Sequence, residues 1–143
     1  MGEKIIIVSG YFDPVHVGHI EYFKLAKALG GKLVVILNND RQCALKKGKA
    51  FMPHHERKAI VESIKFVDEV FDSIDEDKSV CNSIRAVAET YPDCEIIFAK
   101  GGDRFSYEIP EAKVCSEKGI KIVDSLGKKI QSSSSLTGIM EIK

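Results

Sequence analysis

No run of apolar residues in this 143-residue chain approaches the roughly 20 that a helix needs to cross a bilayer. The apolar run nearest the start, Ile5 to Val8, is too short for the core of a secretory leader, so a cytoplasmic protein is expected. Neither sign of charge predominates, because 21 Lys and Arg are matched by 21 Asp and Glu. Without a net field the chain has no general attraction for nucleic acid or an anionic membrane, and any anion site must be a local cluster. Cysteine is sparse and scattered. Cys43, Cys81, Cys94 and Cys115 form no C-x-x-C pair and no set with a nearby histidine, so reduced thiols are expected and zinc ligands are not. No internal repeat or shift in composition divides the chain, and residues 1–143 are expected to form one domain.

The residues present suit a globular protein with a sizeable core, at 44% hydrophobic and 29% charged. Lys4 to Val8 is β-branched and uninterrupted, which suits a strand buried on both faces of a parallel sheet. The polar stretch Ser9 to His19 follows, and then a run of helical spacing from Ile20 to Leu29 that stops at Gly30-Gly31. Lys32 to Leu37 is a second strand and Asn38-Asn39-Asp40 a turn. Arg41 to Ala50 reads as a solvated loop, with Lys46, Lys47 and Lys49 around Gly48. Pro53 suits the first turn of a helix from His54 to Ile64, with Ala59, Ile60, Ser63 and Ile64 near one face.

A third strand is predicted over Val67 to Phe71, and Ser79 can cap a helix running to about Tyr91. Ile96 to Ala99 is a fourth strand, followed by the junction Lys100-Gly101-Gly102-Asp103-Arg104. Pro110 opens a helix to Lys118, Gly119 ends it, and Ile120 to Val123 is a fifth strand. The serines 132–135 precede Leu136, Ile139 and Met140, which reads as helix capping. This alternation predicts an α/β domain, a five-stranded parallel sheet flanked by helices with right-handed crossovers. Three polar or basic strand ends, Gly10 to His19, Asn38 to Lys49 and Lys100 to Arg104, then fall on one edge, where open α/β sheets bind ligands.

His16 and His19 stand three residues apart at that edge, at the start of a helix. Helix-start amides and the helix dipole favour an anion, and the two imidazoles can add donors to the same phosphate oxygens. The pair lacks the glutamate and third ligand of a zinc site. From the residues alone, an anion-holding pair, a metal pair and a purely structural pair all stay open.

Gly10-Tyr11-Phe12-Asp13-Pro14-Val15-His16-Val17-Gly18-His19 resembles the G-x-F-D-x-x-H-x-G-H signature of the cytidylyltransferase-like nucleotidyltransferases. Heptose-1-phosphate adenylyltransferases, glycerol-3-phosphate cytidylyltransferases and phosphopantetheine adenylyltransferases belong to that family. Later landmarks recur in order. Asn38-Asn39-Asp40 resembles the turn after the second strand, Leu45-Lys46-Lys47-Gly48 the lysine loop, and Glu56-Arg57 and Val67-Asp68-Glu69-Val70 the E-x-R and V-D-x-V segments. Lys100-Gly101-Gly102-Asp103 is similar to the heptose enzymes' K-G-G-D, and Ile130 to Leu136 to the family's serine segment.

The resemblance implies a Rossmann-like fold, commonly a homodimer, and transfer of a nucleoside monophosphate from CTP or ATP to a small phosphorylated acceptor with release of pyrophosphate. It implies Mg2+ held mainly through the triphosphate. His16, His19 and Lys46 or Lys47 would act on phosphates, while Asn38, Asp40 and Arg57 would face the acceptor or its phosphate. Gly10, Tyr11, Phe12, Asp13, Gly18, Lys100, Gly101, Gly102, Asp103, Ser132, Ser133 and Ser134 would shape the nucleotide site. Leu126-Gly127-Lys128-Lys129 replaces the R-T-x-G of the glycerol-phosphate enzymes, and a lysine lacks their planar fork. The acceptor therefore stays open between a heptose-1-phosphate-like and a glycerol-3-phosphate-like compound. A cofactor precursor (phosphopantetheine or FMN) and a non-catalytic nucleotide-binding module are the alternatives.

Overall fold

The sheet is built from strands whose successive side chains are both buried. Ile5, Ile6, Ile7 and Val8 are all fully buried, and so are Leu33 to Leu37, because helices cover both faces. The computed structural model describes residues 3–13, 15–48, 50, 52–77, 79–101 and 110–126. In chain order the elements are β1 (Lys4–Gly10), α1 (Val17–Lys27), β2 (Lys32–Leu37), α2 (Asp40–Lys47), α3 (His54–Glu62), β3 (Glu69–Asp72), α4 (Cys81–Thr90), β4 (Glu95–Gly101), α5 (Glu111–Lys118) and β5 (Lys121–Leu126). All five strands pair in parallel in the order β3-β2-β1-β4-β5, the Rossmann-like arrangement expected.

Strand alternation sorts the core into two layers. Ile6, Val8, Val35 and Ile97 pack with Phe23 and Ala26 of α1 and Val61 of α3. Ile5, Ile7, Ile36 and Phe98 pack with Ile84 and Val87 of α4 and Val114 of α5. Gly119 closes α5 in the left-handed conformation, as its position predicts.

Four local expectations need correction. The polar stretch after Asp40 is a helix and not a solvated loop. Asn39 Oδ1 accepts from Gln42 N–H while Gln42 Oε1 accepts from Asn39 N–H, a capping box made of two amides. The Gln42 side chain is fully buried and donates to the carbonyls of Asp77 and Ser79, and Asn39 Nδ2 donates to those of Ser73 and Asp75. An otherwise polar helix is thus held by backbone acceptors of the β3–α4 loop.

Second, α3 ends at Glu62 and turns Arg57 and Val61 inward, leaving Ala59 and Ile60 exposed. Third, β3 runs from Glu69 to Asp72, later than predicted, because Asp68 is used as a cap: its carboxylate accepts from Leu33 N–H and pairs with Lys27. This places the V-D-x-V segment at the amino edge of the sheet, away from the site. Fourth, the start of α4 is satisfied mainly from a distance. Asp75 accepts from Asn82 N–H and Ser83 N–H, whereas Ser79 Oγ reaches only Cys81 N–H, at 3.4 Å.

Candidate active site

β1 and β4 are neighbours at the centre of the sheet, yet their pairing ends at Ile7 and Phe98. Beyond that point β1 continues to Gly10 beside β2, and β4 continues to Gly101 beside β5. The strand order changes direction here, so the parting strands open a crevice at their carboxyl ends, the usual ligand position in such sheets. The register between β4 and β5 also shifts between Ala99 and Gly101, which re-aims the end of β4 at the crevice.

The loop leaving β1 is shaped by Phe12. Its backbone takes φ 50°, a left-handed conformation disfavoured for a residue with a side chain, and its ring is buried. That ring lies over Gly10, where an added Cβ would meet ring carbon Cζ at 2.7 Å, so the glycine leaves room for the ring. The ring also packs against Phe23 and meets the His19 imidazole edge-on, with centroids 4.9 Å apart. One residue on, Asp13 Oδ1 accepts a 2.6 Å hydrogen bond from Met52 N–H, which fastens the loop to the segment before α3.

His16 is the N-cap of α1, and the helix start is closed by imidazoles in place of the usual hydroxyl, amide or carboxylate. His16 Nδ1 accepts from Gly18 N–H at 3.1 Å, and His19 Nδ1 accepts from His16 N–H at 3.1 Å. The rings stack with centroids 3.9 Å apart. Because each Nδ1 is occupied as an acceptor, the proton of each neutral ring sits on Nε2, the atom left to donate. Burial, and then the charge of His16, push the His19 imidazole down to about 4, so His19 is neutral at physiological pH. The pair therefore presents Nε2–H donors beside the amides of a helix start, an arrangement that stabilises negative charge on phosphate oxygens.

Arg57 does not face the crevice as the resemblance implied. It is fully buried, with Nε donating to Met52 O, Nη1 to Tyr11 O and Asn38 O, and Nη2 to Asp40 Oδ1. A guanidinium can be buried this way only when acceptors satisfy its donors, and here three loops supply them. Asn38 and Asp40 belong to this clamp. Partial burial raises the Asp40 carboxyl, but hydrogen bonds from Arg57 and from His54 N–H, with the Arg57 charge, hold it below the usual carboxylate range.

Lys46 and Lys47 occupy the last turn of α2, at the expected edge, and their side chains lie outside the described residues. Lys100 and Gly101 end β4 beside the crevice. Gly102, Asp103, Ser132, Ser133 and Ser134 lie outside the described residues. Among the described residues no group of three or more His, Cys, Asp or Glu side chains is placed to hold a metal ion. Sequence reasoning missed the supporting roles of Asn39, Gln42 and Tyr22. The first two carried a signal in their Asn-x-x-Gln spacing, whereas the Tyr22 hydroxyl bonds to Ala99 O, 77 residues away, and left none.

Two expectations follow from these contacts. Arg57→Met, similar in length but without donors, should lower stability by about 3 kcal/mol in urea unfolding, because three carbonyls and the half-exposed Asp40 carboxylate lose their buried partner. Between its usual value of 6.5 and about 4, His19 takes a proton in the unfolded chain but not in the folded one, so stability should fall as pH drops through that window. Unfolding midpoints of His19→Gln should fall less than those of the wild type over the same range. Parallel curves would contradict the assignment.

Comparison with known proteins shows which family the chain resembles. The chain is 35% identical to the bifunctional protein HldE of Blochmanniella floridana over 143 residues, covering 99% of this chain and 28% of the relative. It therefore spans between a quarter and a third of that protein's length. It is 39% identical to the FAD synthase of Pyrococcus abyssi over 66 residues, covering 46% of this chain and 45% of that one. The lipopolysaccharide core biosynthesis protein of Thermoplasma volcanium superposes with a TM-score of 0.66 at 27% identity, covering 86% of this chain and 96% of that one. The sequence model described as cytidylyltransferase-like matches residues 7–134, from β1 through the serine segment, and the chain belongs to the cytidylyltransferase-like family.

Proposed function

We propose that this chain is a nucleotidyltransferase that joins a nucleoside monophosphate from ATP or CTP to a small phosphorylated acceptor and releases pyrophosphate. The observation that carries the reading is the pair of Nε2–H donors fixed at the crevice by the helix-start cap. An oxygen of the acceptor phosphate attacks the α-phosphorus in line, and the bond to the β-phosphate breaks. The attacking oxygen is already anionic near neutral pH, so no strong base is required and the protein's work is positioning and charge stabilisation. His16 and His19 donate to the oxygens that gain charge, and the amides at the start of α1 reinforce them. Lys46 or Lys47 approaches the phosphates from α2. The resemblance assigns nucleotide binding to Gly10 to Asp13, Gly18, Lys100 to Asp103 and Ser132 to Ser134. Magnesium, by the same resemblance, is held mainly through the triphosphate, and Asp13, whose Oδ1 accepts from Met52 N–H, shapes the loop beside it.

The resemblance of Lys100-Gly101-Gly102-Asp103 to the heptose enzymes favours a heptose-1-phosphate-like acceptor, and the relative named for lipopolysaccharide core biosynthesis supports it. A second acceptor, FMN, is favoured by the similarity to an FAD synthase. A pyrophosphate-release screen of ATP, CTP, GTP and UTP against heptose-1-phosphate, glycerol-3-phosphate, phosphopantetheine and FMN should give turnover with ATP or CTP and one acceptor. Absence of turnover with every pair would overturn the reading.

The histidine roles are tested by substitutions that keep the cap. Asn at 16 and Gln at 19 can make the same side-chain-to-backbone bonds but present no imidazole. His16→Asn and His19→Gln should each lower kcat roughly 100-fold or more while costing about 1 kcal/mol or less in stability. Wild-type rates in both variants would contradict the donor role.

A further inference from the structure

Tyr22 is one turn beyond His19 on α1, and its hydroxyl donates a 2.6 Å hydrogen bond to the carbonyl of Ala99. Ala99 lies just past Phe98, where the ladder between β1 and β4 stops, and just before Lys100 and Gly101. It is also the residue at which the β4–β5 register begins to shift. At the point where β4 leaves one neighbour and slips against the other, a donor from the histidine helix holds its carbonyl. The Tyr22 ring is partly buried in the layer of Phe23 and Val8, so the phenol spans from that layer to the strand end.

We infer that Tyr22 is a positioning residue: its hydroxyl sets the distance between the histidine helix and the end of β4, and so the width of the crevice that receives the nucleotide. The inference rests on the nucleotidyltransferase reading and adds one thing to it, that nucleotide affinity is set in part by a bond that touches no substrate. His16 and His19 approach from one side and Lys100 and Gly101 from the other, and the Tyr22–Ala99 bond joins the two sides directly. Without it, α1 can roll about its axis and the strand end can drift while both remain folded. Nucleotide binding should then weaken because part of its energy is spent on re-forming the crevice. The acceptor phosphate, which is tied to no named group of β4, should be affected less.

The test is Tyr22→Phe, which keeps the ring and removes only the donor. Titration calorimetry with ATP and with CTP gives Kd for wild type and variant, and steady-state assays give KM for each substrate. The variant should bind the nucleotide about fivefold more weakly, the equivalent of one lost neutral hydrogen bond, and nucleotide KM should rise in proportion. Acceptor KM should stay within about twofold, since its binding energy is not drawn from this bond. An unchanged nucleotide Kd in the variant overturns the inference and leaves the transferase reading standing. Equal rises in both KM values, with a lowered unfolding midpoint, overturn it in favour of general loosening. A wild type that binds neither nucleotide overturns both.

Discussion

The capping of α1 by the imidazoles of His16 and His19 is the constraint on which the rest of the site depends. Two donors at a helix start need acceptors, and here the acceptors are the Nδ1 atoms of the imidazoles themselves. Satisfying the backbone and fixing the tautomer are therefore one event. Folding of the first turn of α1 leaves Nε2 of each ring to donate, and stacking holds the rings side by side. Phe12 completes the arrangement from below. Its left-handed backbone and the missing Cβ of Gly10 let the ring sit under His19 and exclude water, which lowers the proton affinity of that imidazole. A hydroxyl or carboxylate cap would close the helix equally well and would present no such donors.

Around this pair the protein holds its loops with polar side chains bonded mainly to backbone groups. Arg57 gathers the carbonyls of Tyr11, Asn38 and Met52. Gln42 and Asn39 capture four carbonyls of the β3–α4 loop, and Asp75 closes the start of α4. These groups sit at the carboxyl end of the sheet, where strand ladders stop and peptide groups need other partners. A parallel sheet whose strands end in loops there can bury those loops only if side chains supply the missing donors and acceptors. The rigid edge that holds the candidate site follows from that need.

Much of the fold could be read from the sequence. Lys32 to Leu37 is a strand with the bounds its apolar run indicates, Gly119 ends α5, and the parallel sheet follows from alternating elements. What failed was local and had a physical reason. The stretch after Asp40 carries no apolar stripe, since Gln42 and Cys43 supply its buried face, so its periodicity was invisible. Nothing near Arg57 in the chain marks it as buried, because its partners arrive from three separate loops. Asp68 and Glu69, read as strand residues or family landmarks, hold the opposite edge through Leu33 N–H and the Tyr91 hydroxyl. His16 and His19 stand at the start of α1 as the run of helical spacing indicates, but the sequence could not show that they cap their own helix, since imidazoles are uncommon there.

The donor role of the pair turns on both imidazoles accepting at Nδ1 and donating at Nε2. Nitrogen-15 NMR of the histidine side chains at mildly alkaline pH reads this directly, because a protonated and an unprotonated ring nitrogen have well-separated shifts. His16 and His19 should both show protonated Nε2 and unprotonated Nδ1, with the Nε2 signals moving when ATP or CTP is added. A protonated Nδ1 on either ring, or Nε2 signals that ignore both nucleotides, would contradict that role.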